Sequence, residues 1–226
     1  MMIQPYKCVV VANGAFPQSS KVMTLLHQAS VIIACDGAAA TLLQQGILPT
    51  AILGDLDSIP ADLKEQYADR IHQVINQEIN DLTKAILFAK EQGEEEVLIL
   101  GATGMREDHT LGNIALLMEH APLFRRIEMV SDYGWFTPLL QSSRLDSFPG
   151  QQVSIFSLSP EGEISTEGLR WPIHNRKLTA WWQGTLNEAL GQSFQIALSP
   201  QARILIYRTP WEQEEDKGRK GLDNVS

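Results

Sequence analysis

The sequence predicts an α/β protein: an N-terminal three-layer α/β/α domain with a mostly parallel sheet, followed by a smaller all-β sandwich domain. Three observations carry this. Over the first 130 residues, short apolar runs alternate with amphipathic stretches. Those runs are apolar throughout, as suits strands buried on both faces. Past about residue 135, Pro138, Pro149, Pro160 and Pro172 punctuate the chain and amphipathic helices give way to short strand-like pieces.

In chain order, the first strand is expected over 6–13 (YKCVVVAN) and a helix over 20–29. A strand at 31–36 (VIIACD) and a helix at 38–46 follow, then a strand at 51–54 (AILG) and a helix at 61–68. The next pairs are 71–75 with 81–92 and 96–101 (EVLILG) with 109–121, before a strand at 126–131. Within 81–92, Leu82, Ala85, Ile86 and Ala89 recur at helical spacing, which gives that helix one apolar face. The β part is read as strands at 151–158, 162–166, 178–183, 192–198 and 202–208. The domains are therefore placed at 1–135 and 136–209. The charged stretch EQEEDKGRKGLDNVS forms most of an expected loose tail, 210–226.

The chain has 226 residues, 44% of them hydrophobic, which is ample for a core. With 27 acidic against 18 basic residues the net charge is −9, which argues against a nucleic-acid partner. An acidic protein that handles anions needs a counter-ion, and Mg²⁺ would serve. Cys8 and Cys35 each sit in an apolar run and are read as reduced, buried thiols of a cytoplasmic protein. The N-terminus MMIQPYKCVVVANG lacks the pattern of a signal peptide, and no apolar run is long enough to span a membrane.

Polar residues gather at the carboxyl ends of the expected strands, where open parallel sheets bind ligands. Asp36 and Gly37 follow the second strand, and Asp55 and Asp57 follow the third. Asp81 opens a helix, with Lys84 one turn along. Two carboxylates so close repel unless a cation lies beside them. Asp55 and Asp57, with Asp81, are thus candidate metal ligands, although GDLDS also makes a good solvated turn. In GATGMREDHTLGN, Gly101 and Gly104 permit a tight turn near an anion, and Arg106 offers a fork of donors to a phosphate. Asp108 reads as a helix N-cap, with His109 and Asn113 on one face of the helix behind it. The plain alternative is an ordinary strand–loop–helix junction.

CDGAA (35–39), GDLDS (54–58), QEINDLTKA (77–85) and GATGMREDHTLGN (101–113) come in the order found in thiamine pyrophosphokinases. GLRWPI (168–173) and GTLNEALG (184–191) resemble that family's β-domain segments. The resemblance covers roughly residues 6 to 207. It implies transfer of the pyrophosphoryl unit of ATP to thiamine, with Mg²⁺, giving thiamine diphosphate and AMP. It also implies a homodimer whose active sites are shared between subunits.

Residue by residue, it places Asp55 and Asp57 on Mg²⁺ and the phosphates, with Asp81 and Lys84 following. Asp36, Gly37, Gly101, Gly104, Arg106, Asp108, His109 and Asn113 fall to the nucleotide, and Trp171 and Asn187 to thiamine. Asp55, Asp57, Asp81 and Arg106 are the expected catalytic residues. Glu78, Asn80, Met105 and Leu186 stand where the family usually has Asp, Thr, Gly and Ser. A cationic thiazolium favours aromatic faces, which makes Trp171, Trp181 and Trp182 candidates for its wall. Tryptophans of small β domains are nonetheless more often core. The rival readings are a nucleotide-sugar transferase using the DxD pair, and a related nucleotide-binding protein with an altered acceptor or lost activity.

Overall fold

The computed structural model describes residues 5–55, 61–76 and 78–209. Asp57 and the 210–226 stretch lie outside the described residues. The α/β part contains β1 (Cys8–Val11), α1 (Ser20–Gln28), β2 (Val31–Cys35), α2 (Asp36–Gln44), β3 (Ala51–Gly54) and α3 (Ala61–Gln66). It continues through β4 (Ile71–Gln73), α4 (Asp81–Glu91), β5 (Glu96–Leu100), α5 (Glu107–His120) and β6 (Arg126–Ser131). The rest holds β7 (Gly134–Leu139), β8 (Ser143–Asp146), β9 (Gln152–Ser157), β10 (Glu163–Glu167) and β11 (Arg176–Lys177). The last strands are β12 (Asn187–Glu188), β13 (Ser193–Leu198) and β14 (Ile204–Arg208).

Ten strands form one sheet in the order β12-β9-β14-β7-β6-β5-β1-β2-β3-β4. From β4 to β6 every pairing is parallel. From β6 onward every pairing is antiparallel. The apolar runs explain the parallel half. Alternate residues of β1 face opposite layers: Val10 meets α4 and α5 residues such as Ile86 and Leu117, and Val9 meets α1 and α2 residues such as Leu26 and Leu42. The apolar face Leu82, Ala85, Ile86 and Ala89 of α4 packs on the sheet as its spacing requires.

β8, β10, β11 and β13 make a second, antiparallel sheet. Leu139, Ile155, Ile204 and Ile206 of the long sheet pack with Ile164, Phe194 and Ile196 of the short one. This is the expected sandwich, but one of its layers is the continuation of the parallel sheet. The hairpin joining β6 to β7 makes that continuity possible. At its tip the Asp132 carboxylate accepts hydrogen bonds from the N–H groups of Gln18 and Ser19 (2.8 and 2.9 Å), tying the turn to the approach to α1.

Several boundaries differ from the sequence reading. α2 begins at Asp36 and α5 at Glu107, each two residues earlier than expected. β7 was not foreseen because Pro138 cannot donate to a ladder. It is tolerated since the pairing of β7 with β6 ends at Phe136, leaving Pro138 beyond it. β8 (SRLD) carries almost no apolar signal. The expected strand 178–183 is a 3₁₀ turn over Trp181–Gly184 instead. There the Gln183 side-chain oxygen accepts from the N–H groups of Thr179 and Ala180 (2.8 and 3.2 Å), taking donors a ladder would need.

Candidate active site

The strand order reverses direction at β1: the chain runs outward through β2, β3 and β4, then crosses to β5 on the other side. Crevices at such switch points, outside the carboxyl ends of strands, are where open sheets bind ligands. A cleft of about 330 Å³ lies there, lined among others by Asn13, Gly14, Gly37, Asn80, Asp81 and Arg106. Its other wall comes from the β5–α5 loop and the first turns of α5, including His109 and Asn113.

Main chain builds its floor. Gly14 N–H donates to Gly101 O (2.5 Å), and Ala15 N–H donates to Thr103 O (2.8 Å). A Cβ on Gly14 would stand 2.4 Å from Gly101 O. Gly101 itself has φ +65°, and a Cβ there would stand 2.6 Å from Ala12 O. Only glycine fits both the space and the backbone. Asn113 holds the same loop from the helix side, its Nδ2 donating to Ala102 O (2.8 Å). The left-handed turns fall on Gly101 and Gly104, so Met105 sits at negative φ and lines the rim, largely exposed.

The charged residues divide into buried and exposed groups. Asp36 is buried, at 2% exposure, and packs so closely on Gly54 that a Cβ there would lie 2.5 Å from its own. Gly37, not Asp36, lines the cleft. Lys84 is also buried, its Nζ 2.9 Å from Asp81 Oδ1, while the Asp81 side chain is 38% exposed at the cleft wall. Asn80 provides the N-cap of α4, accepting from Thr83 N–H at 2.8 Å, as the family's Thr at that place would. The Cys35 thiol lies among these groups. Burial pushes its pKa well above the ordinary thiol value, Asp81 and Asp36 add to the rise, and Lys84 opposes it. It is a neutral wall element.

Arg106 and Asp108 are exposed and paired, Nη2 to Oδ2 at 2.6 Å and Nε to Oδ1 at 3.1 Å. The Arg106 guanidinium holds the Asp108 carboxyl below the usual carboxylate range. Asp108 is not the N-cap: α5 starts at Glu107 with Arg106 in the cap position and no side-chain cap bond. Lying inside the first turn, the Asp108 carboxylate accepts from the neighbouring His109 N–H (3.0 Å) as well as from Arg106. Asp55 follows β3 at the same edge of the sheet.

The residues expected to meet thiamine lie elsewhere. Asn187 is buried and brackets Trp171, accepting from its N–H (3.1 Å) and donating to its carbonyl (2.7 Å). Trp171, Trp181 and Trp182 are 56%, 48% and 73% exposed, which overturns the expectation that they are core. Leu186 is also exposed and adopts φ +60°. No β-domain residue lines the switch-point cleft.

Asn13 and Gly14 escaped the sequence reading. The available signal was an Asn-Gly pair directly after the first apolar run, meaningful only once that run is known to border the switch point.

The family model described as "Thiamin pyrophosphokinase, catalytic domain" matches residues 22–130, and "Thiamin pyrophosphokinase, substrate-binding domain" matches 134–207. The chain belongs to the thiamin pyrophosphokinase family. Among curated members, Thiamine pyrophosphokinase 1 of Oryza sativa subsp. japonica is 31% identical over 147 residues, 58% of this chain. That match spans 55% of the rice protein's length. Thiamine pyrophosphokinase of Bacillus subtilis is 28% identical over 155 residues, 65% of this chain and 72% of its own. Solved structures of family members share the fold. That of the Bacillus subtilis enzyme superposes with TM-score 0.76 at 20% identity, over 90% of this chain and 99% of that one. The Candida albicans enzyme gives 0.73 at 17% identity, over 93% and 96%.

Among the described residues no group of three His, Cys, Asp or Glu side chains is gathered to hold a metal. The donor set nevertheless fits Mg²⁺. That ion takes one or two protein carboxylates and fills its shell from water and phosphate oxygens. The partly exposed Asp81 at the cleft wall and Asp55 just past the end of β3 supply hard oxygen donors of that kind.

Proposed function

We propose that this chain is a thiamine diphosphokinase, transferring the pyrophosphoryl group of ATP to the hydroxyl of thiamine and releasing AMP. The observation that carries the reading is the switch-point cleft itself, floored by glycine-tight main chain and walled by Asp81, Arg106 and His109. The two family matches, in order along the chain, supply the substrates. In the reaction, thiamine's hydroxyl oxygen bonds to the β-phosphorus of ATP. The bond from that phosphorus to the oxygen of the AMP portion breaks, and its electron pair leaves with AMP.

Such transfers depend on positioning and charge stabilisation. Asp55, Asp57 and Asp81 would hold Mg²⁺, which when bound supplies positive charge to phosphate oxygens. Arg106 grips the phosphates. Its present partner Asp108 is solvent-exposed, and exposed pairs are weak enough to exchange. Gly101 and Gly104 let the main chain approach the nucleotide, and Asn113 keeps that loop in place. Lys84 stays beneath Asp81 and fixes its carboxylate. Asp81, or another carboxylate of the same rim, takes the hydroxyl proton.

Trp171, steadied by Asn187, offers an aromatic face to the thiazolium ring. Because no β-domain residue reaches the cleft within one subunit, the acceptor wall is best supplied across a homodimer. A cytoplasmic location is part of the proposal and is supported by the two buried, free cysteines; among the described residues no helix is long and apolar enough to cross a membrane. The test is to incubate the protein with ATP, Mg²⁺ and thiamine and follow ³¹P NMR. AMP with thiamine diphosphate is expected. ADP, free phosphate or no turnover would overturn the assignment.

A further inference from the structure

A second cavity, of about 540 Å³, opens where the start of β6 meets β7 and β8. It shares no lining residue with the switch-point cleft. Four arginines line it: Arg125, Arg126, Arg144 and Arg208. In a chain of net charge −9, that concentration of guanidinium groups calls for an explanation.

The lining also holds two carboxylates, Glu128 and Asp146, and these together with the shared Glu96 still leave one guanidinium charge unmatched. Arg125 and Arg126 share one carboxylate, Glu96, each at 2.8 Å. Among the described residues Arg144 donates to a neutral hydroxyl, Ser193 Oγ, at 3.0 and 2.7 Å. Arg208 is 5% exposed. It donates to Thr137 Oγ1 and to the Asp146 carbonyl, both at 3.0 Å, and its nearest carboxylate is Glu128 at 3.7 Å. Glu128 is already engaged, accepting from the hydroxyls of Tyr6 and Thr137. Among the described residues Arg208 Nε and Arg126 Nε are buried without hydrogen-bond partners. Both atoms are closed even to water, so an anion in the cavity would be met by the charge and outer nitrogens of the four guanidinium groups that line it, not by these two atoms.

The shape of a fitting anion follows from the guanidinium groups that line the cavity. A carboxylate has two oxygens and is consumed by two arginines, as Glu96 shows. A phosphate has three outward oxygens and can meet several forks at once. Beside the arginines, Phe124, Leu139 and Leu145 give the cavity apolar wall enough for an organic body behind such a head group.

We propose that this groove is a binding site for a small phosphate- or diphosphate-bearing molecule, separate from the catalytic cleft. α5 connects the two places: Arg106, His109 and Asn113 at its start line the cleft, and Ala121 and Phe124 just past its end line the groove. The proposal is independent of the catalytic reading.

Calorimetric titration of the full chain with inorganic pyrophosphate, at fixed ionic strength and without metal, tests it. Arg106→Ala removes the cleft's grip on phosphate, and a binding event should survive that change. That event should weaken about tenfold or more in Arg208→Met. Because Arg208 is buried and its loss threatens folding, Arg144→Ala and Arg126→Gln carry the same test, with severalfold losses expected. If Arg106→Ala abolishes all binding, or if Arg144→Ala and Arg126→Gln bind as the parent does, the groove is not an anion site.

Discussion

The switch-point cleft and the lip of the sandwich around Trp171 are built on opposite plans. The cleft is shaped by main chain: Gly14 against Gly101, Ala15 against Thr103, and a helix residue, Asn113, holding a carbonyl. The lip is shaped by large exposed side chains, Trp171, Trp181, Trp182 and Leu186, on a backbone fastened from behind by Asn187. A triphosphate is recognised by close approach of backbone and a few charges, so small residues are required where it lies. A cationic ring is recognised by area and π density, so bulky residues are required there. The first plan tolerates almost no added atom at its floor; the second tolerates side-chain loss structurally, and on the proposed function that loss would weaken thiamine binding.

The sharpest way to break this contrast is Gly14→Ala. Its methyl group must push apart two main-chain segments, so kcat/KM for ATP should fall by at least about 100-fold, close to 3 kcal/mol of transition-state binding. Steady-state kinetics with ATP varied would show it, and near-normal values would mean the floor can yield.

Next in size is Asp81→Asn, which leaves the Lys84 ammonium buried without its carboxylate. A loss of about 2 kcal/mol in urea unfolding is expected, less than for a fully buried pair because Asp81 is 38% exposed. Lys84→Met should cost under about 1 kcal/mol, since it leaves Asp81 free to face solvent. Equal losses in the two variants would show that the pair does not behave as a buried cation with a wet partner.

On the lip, Asn187→Ala and Trp171→Ala separate support from contact. The first should lower stability by about 1–3 kcal/mol through two lost buried hydrogen bonds. The second should lower it by less than about 0.5 kcal/mol, as its side chain is exposed. Both should raise KM for thiamine severalfold and leave KM for ATP unchanged.

The smallest effect concerns the thiols. Burial raises the pKa of Cys35, and pushes that of Cys8 up to about 12, so both remain protonated at pH 8. Native protein should therefore react slowly with a disulfide reagent at pH 8. Rapid reaction of Cys35 would mean the cleft wall opens.

The parallel half was legible because its strands are buried on both faces, which turns them into plain apolar runs such as CVVV and VIIAC. Helix α4 was legible because one face alone is apolar. β8 was not, since an SRLD strand of half-exposed residues resembles a loop. Nor was the 181–184 turn, because a side-chain amide 183 decides the path there rather than hydrophobic spacing. In the candidate site, residue types were readable but their depth was not: Asp36 and Lys84 lie beneath the cleft surface, while Arg106 lines it and is exposed. Burial is settled by which strand ends touch, and Asn13 pressing on Gly37 illustrates a contact between segments over twenty residues apart.

The passage of one sheet through both halves has a mechanical meaning. A hinge between them would have to tear the β6–β7 ladder, whose register sets Met129 opposite Phe136 and Val130 opposite Trp135. The chain therefore moves as a single plate, and whatever opens or closes the cleft must be a shift of loops rather than a bending between the two halves.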